Sequence, residues 1–455
     1  LLLANILLAA GCQPAVRYEP RPEKGARPGD NPGQPTPPKP LAEAINWLNL
    51  GRHPEKGQHP IVFVHEATSP KEWAALPAFW NDPGASLPGK GPQPVRVKVP
   101  LGLLDPSAFL PTDFVLTRER WELGRRLFYD ADLLGSKQSC ATCHDPANNF
   151  TDGKQHGGGG RNTPTLVNVV FNRTQMWDGR LTYLEEVMQA TLEDERAPEV
   201  PFRHAWPGVI GRLRKSPEYV KEFQRVFGVP PTQDTAGLAL AAFLRTILVA
   251  GSVHDQADAR RRSAGDRDLT AAHYEAVLDP PSLAHLGTGK RPKSDVAAEL
   301  ARGYRLFHGQ AGCARCHNEA SGTFSDGRYH NVDVGAAGLD LHPERRGRFN
   351  VAPLGEKTRW LMGAWKTPTL RGLRRTAPYF HDGSEPKLFE AVNHFVRKRD
   401  FAEAPENIFL SRMLASEDGN FRDLKLTRAD VEALTLFLHA LDGPEPDVAL
   451  RGPGR

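Results

Sequence analysis

Apolar and polar positions divide the chain into stretches of different character. The opening "LLLANILLAAGC" carries an apolar run too short to span a bilayer, so it reads as the core of an export signal covering residues 1–12. Its "AAGC" ending resembles a lipoprotein signal, which makes Cys12 the expected lipid-bearing residue. Residues 13–40 hold nine prolines and almost no aliphatic side chains, a pattern that predicts an extended tether. At roughly 3.1 Å per residue it reaches on the order of 80 Å. In the 41–96 extension, "LAEAINWLNL" has helical spacing, "PIVFVH" looks like a short strand, and Trp47, Trp73 and Trp80 imply packing. His65 there reads as a structural histidine.

Further along, the pattern repeats. Gly124-x-x-Leu127-Phe128 and Gly303-x-x-Leu306-Phe307 share one helical spacing. "FTDGKQH" from Phe150 matches "FSDGRYH" from Phe324, "TPTL" begins at Thr163 and again at Thr367, and "WDG" at Trp177 is echoed by "HDG" at His381. Each half closes on an amphipathic stretch, "AGLALAAFLRTIL" near 236–248 and "RADVEALTLFLHAL" near 428–441. The repeat predicts two domains related by internal duplication, 97–258 and 296–443, joined by a polar linker at 259–295 and followed by a tail at 444–455.

Composition sharpens this picture. With 42 glycines and 40 prolines among 455 residues the fold is loop-rich, and something besides dense secondary structure must organise it. A net charge of +4, with no basic run interleaved with aromatics, argues against nucleic acid as a partner. All four cysteines beyond Cys12 fall into "CATCH" and "CARCH". Paired C-x-x-C units can supply tetrahedral zinc, but zinc leaves His144 and His317 unexplained. Covalent haem attachment explains every position: one turn presents Cys140 and Cys143, or Cys313 and Cys316, to two vinyl groups, and the next residue offers its imidazole to the iron.

With "LGRRLFYDADLLGSKQSCATCHDPANNFTDG", "GRNTPTLVNVVFNRTQMWDGR" and "WKTPTLRGLRRTAPYFHDGS" assembled, the chain resembles the bacterial di-haem cytochrome c peroxidases and their MauG-type relatives, from about Val97 to Gly443. The resemblance implies a mainly α fold of two cytochrome c-like domains, each with one covalent haem c, in an exported, periplasmic oxidoreductase. The N-terminal haem would meet hydrogen peroxide and the C-terminal haem would relay electrons from a small redox protein of cytochrome c or cupredoxin type. The MauG type acts instead on a protein substrate, and a homodimer is among the assemblies allowed. His156 matches the displaceable distal histidine, on a loop softened by four glycines. Trp177 matches the tryptophan between the haems. The Asn162 side chain with the carbonyls of Thr376 and Pro378 matches the ligands of a calcium ion.

Two departures stand out. The family's glutamine and catalytic glutamate fall, by count, on Val187 and Ala197; an insertion of two restores them as Gln189 and Glu199, with Glu193 and Glu195 competing. Where the peroxidases place an axial Met and the MauG type a Tyr, this chain has Phe395. The C-terminal iron then either lacks a distal ligand or takes His330 or His394, arrangements that lower its potential relative to axial Met. Three functions follow as expectations: a peroxidase, an electron-transfer cytochrome without peroxidase activity, or an oxidant of a partner protein.

Overall fold

The computed structural model describes residues 58–66, 68–76, 80–81, 94–111, 114–135, 137–155, 160–187, 206–335, 343–358, 361–396 and 424–452. All lie in one compact unit, Ile45–Arg455. Cys12, the proline-rich tether, Trp47, His156, Gln189, Glu193, Glu195, Ala197 and Glu199 fall outside the described residues.

The described structure is mainly helical with little sheet. In the first half, Thr117 caps the Arg118–Tyr129 helix by accepting from Arg120 N, and Thr232 caps Gln233–Leu244 by accepting from Thr235 N. These two helices cross at Gly124, where a Cβ would stand 1.8 Å from the Ala239 carbonyl oxygen. Only a residue without a side chain allows that approach. Phe128 then packs on Phe150 and Phe243, with ring centroids 6.0 and 5.2 Å away.

The second half has the same arrangement. The Lys293–His308 helix crosses Arg428–His439 at Gly303, where a Cβ would lie 2.1 Å from the Ala433 oxygen. Phe307 packs on Phe324 and Phe437 at 6.2 and 5.2 Å. The Gly-x-x-Leu-Phe spacing is thus a backbone contact point followed, one turn later, by a core aromatic.

Three stretches that read as peripheral carry packed structure. The 41–96 extension contributes β1 (Ile61–Val64), paired in parallel with β3 (Val95–Lys98), which also pairs antiparallel with β2 (Trp80–Asn81). Ile61, Phe63, Val95 and Val97 join the first half's core, so the boundary expected after residue 96 falls inside a strand. His65 donates from Nε2 to the Leu103 carbonyl at 2.5 Å, as a structural histidine would. The 259–295 linker is helical over Ala271–Val277 and Pro280–His285, with Leu269, Tyr274, Leu278 and Leu286 forming a core with Val296 and Leu300. The tail returns to the first half: Leu450 is fully buried there and its carbonyl accepts from Tyr129 Oη.

A buried ion pair fixes the Val253–Ala264 helix, whose Val253 and Ala257 pack in the second half's core. Arg371 donates to both oxygens of Asp255 at 2.6 and 2.8 Å, and also to the carbonyls of Gly322 and Gly102. Burial pushes the Asp255 carboxyl up, but the guanidinium outweighs it and holds the carboxyl below its ordinary range.

Candidate functional site

The first cysteine pair occupies a single helical turn, Cys140–Cys143, opened by Ser139, whose N–H donates to Thr142 Oγ1 at 3.0 Å. A spacing of three places both sulfurs on one face. His144 ends the turn, its N–H donating to the Cys140 carbonyl at 2.8 Å. Its Nδ1–H donates to the Phe150 carbonyl at 3.0 Å. A carbonyl can only accept, so the proton is on Nδ1 and the Nε2 lone pair is left for a metal.

The second unit has the same bonds. Cys313–Arg315 forms a tight turn, His317 N–H donates to the Cys313 carbonyl at 2.9 Å, and His317 Nδ1–H donates to Phe324 at 2.8 Å. Burial lowers both imidazoles, which favours the neutral, ligating form, and it pushes the Cys140 and Cys313 thiols up to about 12. The four thiols are free. Among the described residues one group of three or more His, Cys, Asp or Glu has ligand atoms all within 4.8 Å of one another: Cys316, Asp326 and His330. The two cysteine pairs therefore do not converge on a shared zinc site.

Both candidates for a borrowed distal ligand have other partners. His330 Nε2 lies 2.9 Å from Asp326 Oδ2; burial opposes the charged imidazole, but Asp326 and the Cys316 thiol together raise it to about 10. His394 donates from Nε2 to the Val332 carbonyl at 2.8 Å and packs between Phe380 and Phe395. Phe395, just past the Leu388–His394 helix, is 38% exposed.

Between the halves, the two "TPTL" segments exchange matching bonds. Asn162 N–H donates to the His381 carbonyl at 2.7 Å, and Lys366 N–H to the Trp177 carbonyl at 2.8 Å. Their side chains follow suit: Asn162 Nδ2 donates to Pro378 O at 2.6 Å, and Lys366 Nζ to Thr174 O at 2.8 Å. Asn162 and Lys366 are counterparts in the repeat, as are Pro378 and Thr174. Met176 and Phe380 share left-handed backbone at φ 67° and 69°, and Gly179 and Gly383 at 66° and 65°. Trp177, half-buried, donates its indole N–H to the Asn162 carbonyl at 2.8 Å. The structure thus brings Asn162, Trp177, Pro378 and His381 together, while Thr376, at the end of the Leu373–Arg375 turn, donates its own N–H to the Leu373 carbonyl.

Sequence reasoning missed the rest of this interface. His381 stacks on Trp365 at 4.0 Å and 17°, with the Arg161 guanidinium over the same indole at 4.8 Å. Asp178 pairs with Arg161 and Arg180. Burial pushes Lys366 down to about 8, partly offset by Asp178. The signal was available, since "RN" and "WK" precede the two copies of "TPTL". Of the carboxylates after Trp177, Glu185 is locked in a buried pair with Arg245 at 2.7 and 3.0 Å, and Glu186 accepts from the N–H groups of Thr182 and Tyr183.

His381 makes the interface acid-sensitive. Burial pushes its imidazole down to about 4, with Arg161 and Arg345 adding to the effect and Asp382 opposing it. The unfolded chain, at about 6.5, binds the proton first, so stability falls as pH drops from about 6.5 toward 4, by up to about 3 kcal/mol. Denaturant unfolding at pH 7 and pH 4.5 is expected to register this loss, and His381→Gln to reduce it.

Comparison with known proteins follows the same lines. Residues 118–263 match the family described as di-haem cytochrome c peroxidase. The chain is 31% identical over 336 residues to the methylamine utilization protein MauG of Methylorubrum extorquens, covering 70% of this chain and 81% of that one. It is 28% identical to the cytochrome c551 peroxidase of Pseudomonas aeruginosa, over 73% and 81% of the two chains. A crystal structure of a MauG-like protein associated with microbial copper homeostasis superposes with a TM-score of 0.54 at 25% identity, covering 75% of this chain and 93% of that one. Two thiol–imidazole units of one geometry, a tryptophan between the halves and similarity over most of the relatives' length lead to one conclusion: the chain belongs to the di-haem cytochrome c peroxidase and MauG family of oxidoreductases.

Proposed function

We propose that each C-x-x-C-H unit carries one haem c, that the halves arose by duplication, and that the exported protein reduces hydrogen peroxide to water with electrons entering through the C-terminal half. The observation that carries this reading is the pair of matching imidazole mounts, His144 on Phe150 and His317 on Phe324. Bound haem supplies the redox chemistry. The chain's own residues orient and insulate it. The two carbonyls fix each ring and its tautomer, and the buried clusters that hold Phe128 and Phe307 pack apolar side chains against Cys140 and Cys313. To Trp177, anchored on Asn162 and bonded through its own carbonyl to Lys366, we assign the passing of electrons between the halves.

A calcium ion fits the Asn162 corner in part. Asn162 Oδ1 is buried without a hydrogen-bond partner, and the same amide faces the carbonyls of Pro378 and Phe380. Turned over, it would aim oxygen at oxygen, a donor set suited to a hard cation. We assign His156 the displaceable distal role and Gln189 with Glu199 the proton-handling role, and place the mature chain in the periplasm, anchored at Cys12. A cytochrome or cupredoxin-type donor and assembly as a homodimer complete this reading.

A second reading, oxidation of a partner protein, is favoured by the 31% identity to a MauG protein; Phe395, which cannot bind iron, instead withholds the Met that raises a haem's potential and suits an electron-transfer cytochrome without peroxidase activity. The test begins with pyridine haemochrome analysis. Two covalent haems are expected per chain, one in the Cys140→Ser/Cys143→Ser variant and one in Cys313→Ser/Cys316→Ser. Peroxide consumption with a reduced cytochrome or cupredoxin donor is then expected, strongly slowed in Trp177→Phe with haem content unchanged. A haem-free protein overturns the proposal; peroxide-driven modification of a protein partner without donor turnover selects the second reading.

A further inference from the structure

Behind the second haem unit lies a chain of titratable side chains that the peroxidase reading does not use. Tyr274 is wholly buried, and its hydroxyl lies 2.9 Å from His254 Nδ1. His254, itself buried, has Nε2 3.6 Å from Glu319 Oε1, and that oxygen lies 3.0 Å from Nε2 of the exposed His308. Glu319 follows His317 by two residues. The His254 ring packs edge-on against Phe324 and Phe437 at 5.7 and 5.3 Å. Phe324 is the residue whose carbonyl holds His317 Nδ1. A path of contacts therefore joins the Tyr274 phenol, through His254 and Phe324, to His317, the imidazole that would hold the haem.

The polarity of this chain is set by chemistry. The Glu319 carboxylate, 3.6 Å from His254 Nε2, favours a proton on that nitrogen, and Nδ1 is then the lone pair that takes the Tyr274 O–H. A structural role alone does not require it. The Val253–Ala264 helix is already held by Asp255 on Arg371 and by His254 N–H on the Ala440 carbonyl. A phenylalanine at 274 would fill the same space.

We infer that Tyr274 and His254 form a proton-coupled redox pair serving the C-terminal haem, an inference that rests on the haem reading of His317. One electron passes from the phenol to the peroxide-oxidised haem, which is reduced by one equivalent. The phenolic O–H bond breaks as its proton moves to His254 Nδ1 and forms an N–H bond. The products are a neutral tyrosyl radical and an imidazolium facing Glu319. Without such an acceptor the step would strand a proton in an apolar core; burial already holds the Tyr274 phenol far above its ordinary pKa and so blocks prior ionisation. The pair gives the second half a place to hold an oxidising equivalent when no donor is bound.

The experiment is freeze-quench electron paramagnetic resonance on the two-haem protein, treated with peroxide in the absence of donor. A tyrosyl radical is expected, with hyperfine structure that changes when tyrosine is β-deuterated. It should vanish in Tyr274→Phe and in His254→Gln but persist in Tyr304→Phe, whose ring also packs on His254. Parallel samples are oxidised by photogenerated tris(bipyridine)ruthenium(III), which bypasses peroxide. A Tyr274-dependent radical with ruthenium alone supports the pair and removes the peroxide reading. The pair is overturned if neither oxidant yields a radical, or if the radical survives unchanged in Tyr274→Phe or, where that variant fails to fold, in His254→Gln.

Discussion

Replacing Arg371 with methionine is expected to lower the unfolding free energy by about 3–5 kcal/mol, the cost of removing one partner of a buried ion pair. Asp255 is 4% exposed and would keep a charge with no guanidinium beside it. Ser252, which already donates to Asp255 through both N–H and Oγ, cannot replace two charge-assisted bonds. The damage should also loosen the halves, because the same guanidinium holds the carbonyls of Gly322 and Gly102. Denaturant unfolding of the haem-loaded protein measures the loss. Arg371→Met/Asp255→Leu should recover much of it, since exchanging a whole buried pair for apolar groups is often neutral. Equal instability in the single and double variants would show that the carbonyl contacts, and not the stranded carboxylate, carry the cost.

Gly303→Val should destroy the second haem site and leave the first loaded. The added Cβ would lie 2.1 Å from the Ala433 oxygen and 2.7 Å from Phe437 Cβ, so the Lys293–His308 and Arg428–His439 helices must separate. Overpacking a core costs about 1–3 kcal/mol where side chains can yield, and here the obstacle is backbone, so the cost should reach or exceed the top of that range. Phe437 and Phe307 would lose their contact, opening the wall behind Cys313. Gly124→Val is the mirror experiment, with Ala239 as the obstacle and Cys140 and Cys143 as the site lost. Haem content per chain and the spectrum of the remaining haem decide it: one haem is expected in each variant. Two in either would mean that the crossing glycines are dispensable.

Much of the geometry of the two C-x-x-C-H units was legible in the chain because it is local. A C-x-x-C-H turn places its ligands within five consecutive residues, and the phenylalanine carbonyl that steers each histidine lies six or seven residues on. Gly124 and Gly303 were legible as a repeated spacing, although their purpose, a helix crossing at backbone contact, needed the partner helices. Phe395 was legible as a departure, and so was the extra strand at Ile61–Val64.

What sequence alone determined, then, is the chemistry bound to short spacings: two thiol pairs, two imidazoles, a repeated helical frame and a family. Tertiary structure decided what depends on residues far apart in the chain. His330 and Asp326 are close in sequence, yet their pairing beside Cys316 emerged only in three dimensions. Lys366 reaches Thr174, Arg371 reaches Asp255, and His254 joins Tyr274 to Glu319, across separations where periodicity carries no information. The physical reason is that a buried charge or polar group takes its partner from whatever the fold packs against it, and burial makes that partner obligatory. Pattern along the chain says which residues go inside; only packing says whom they meet there.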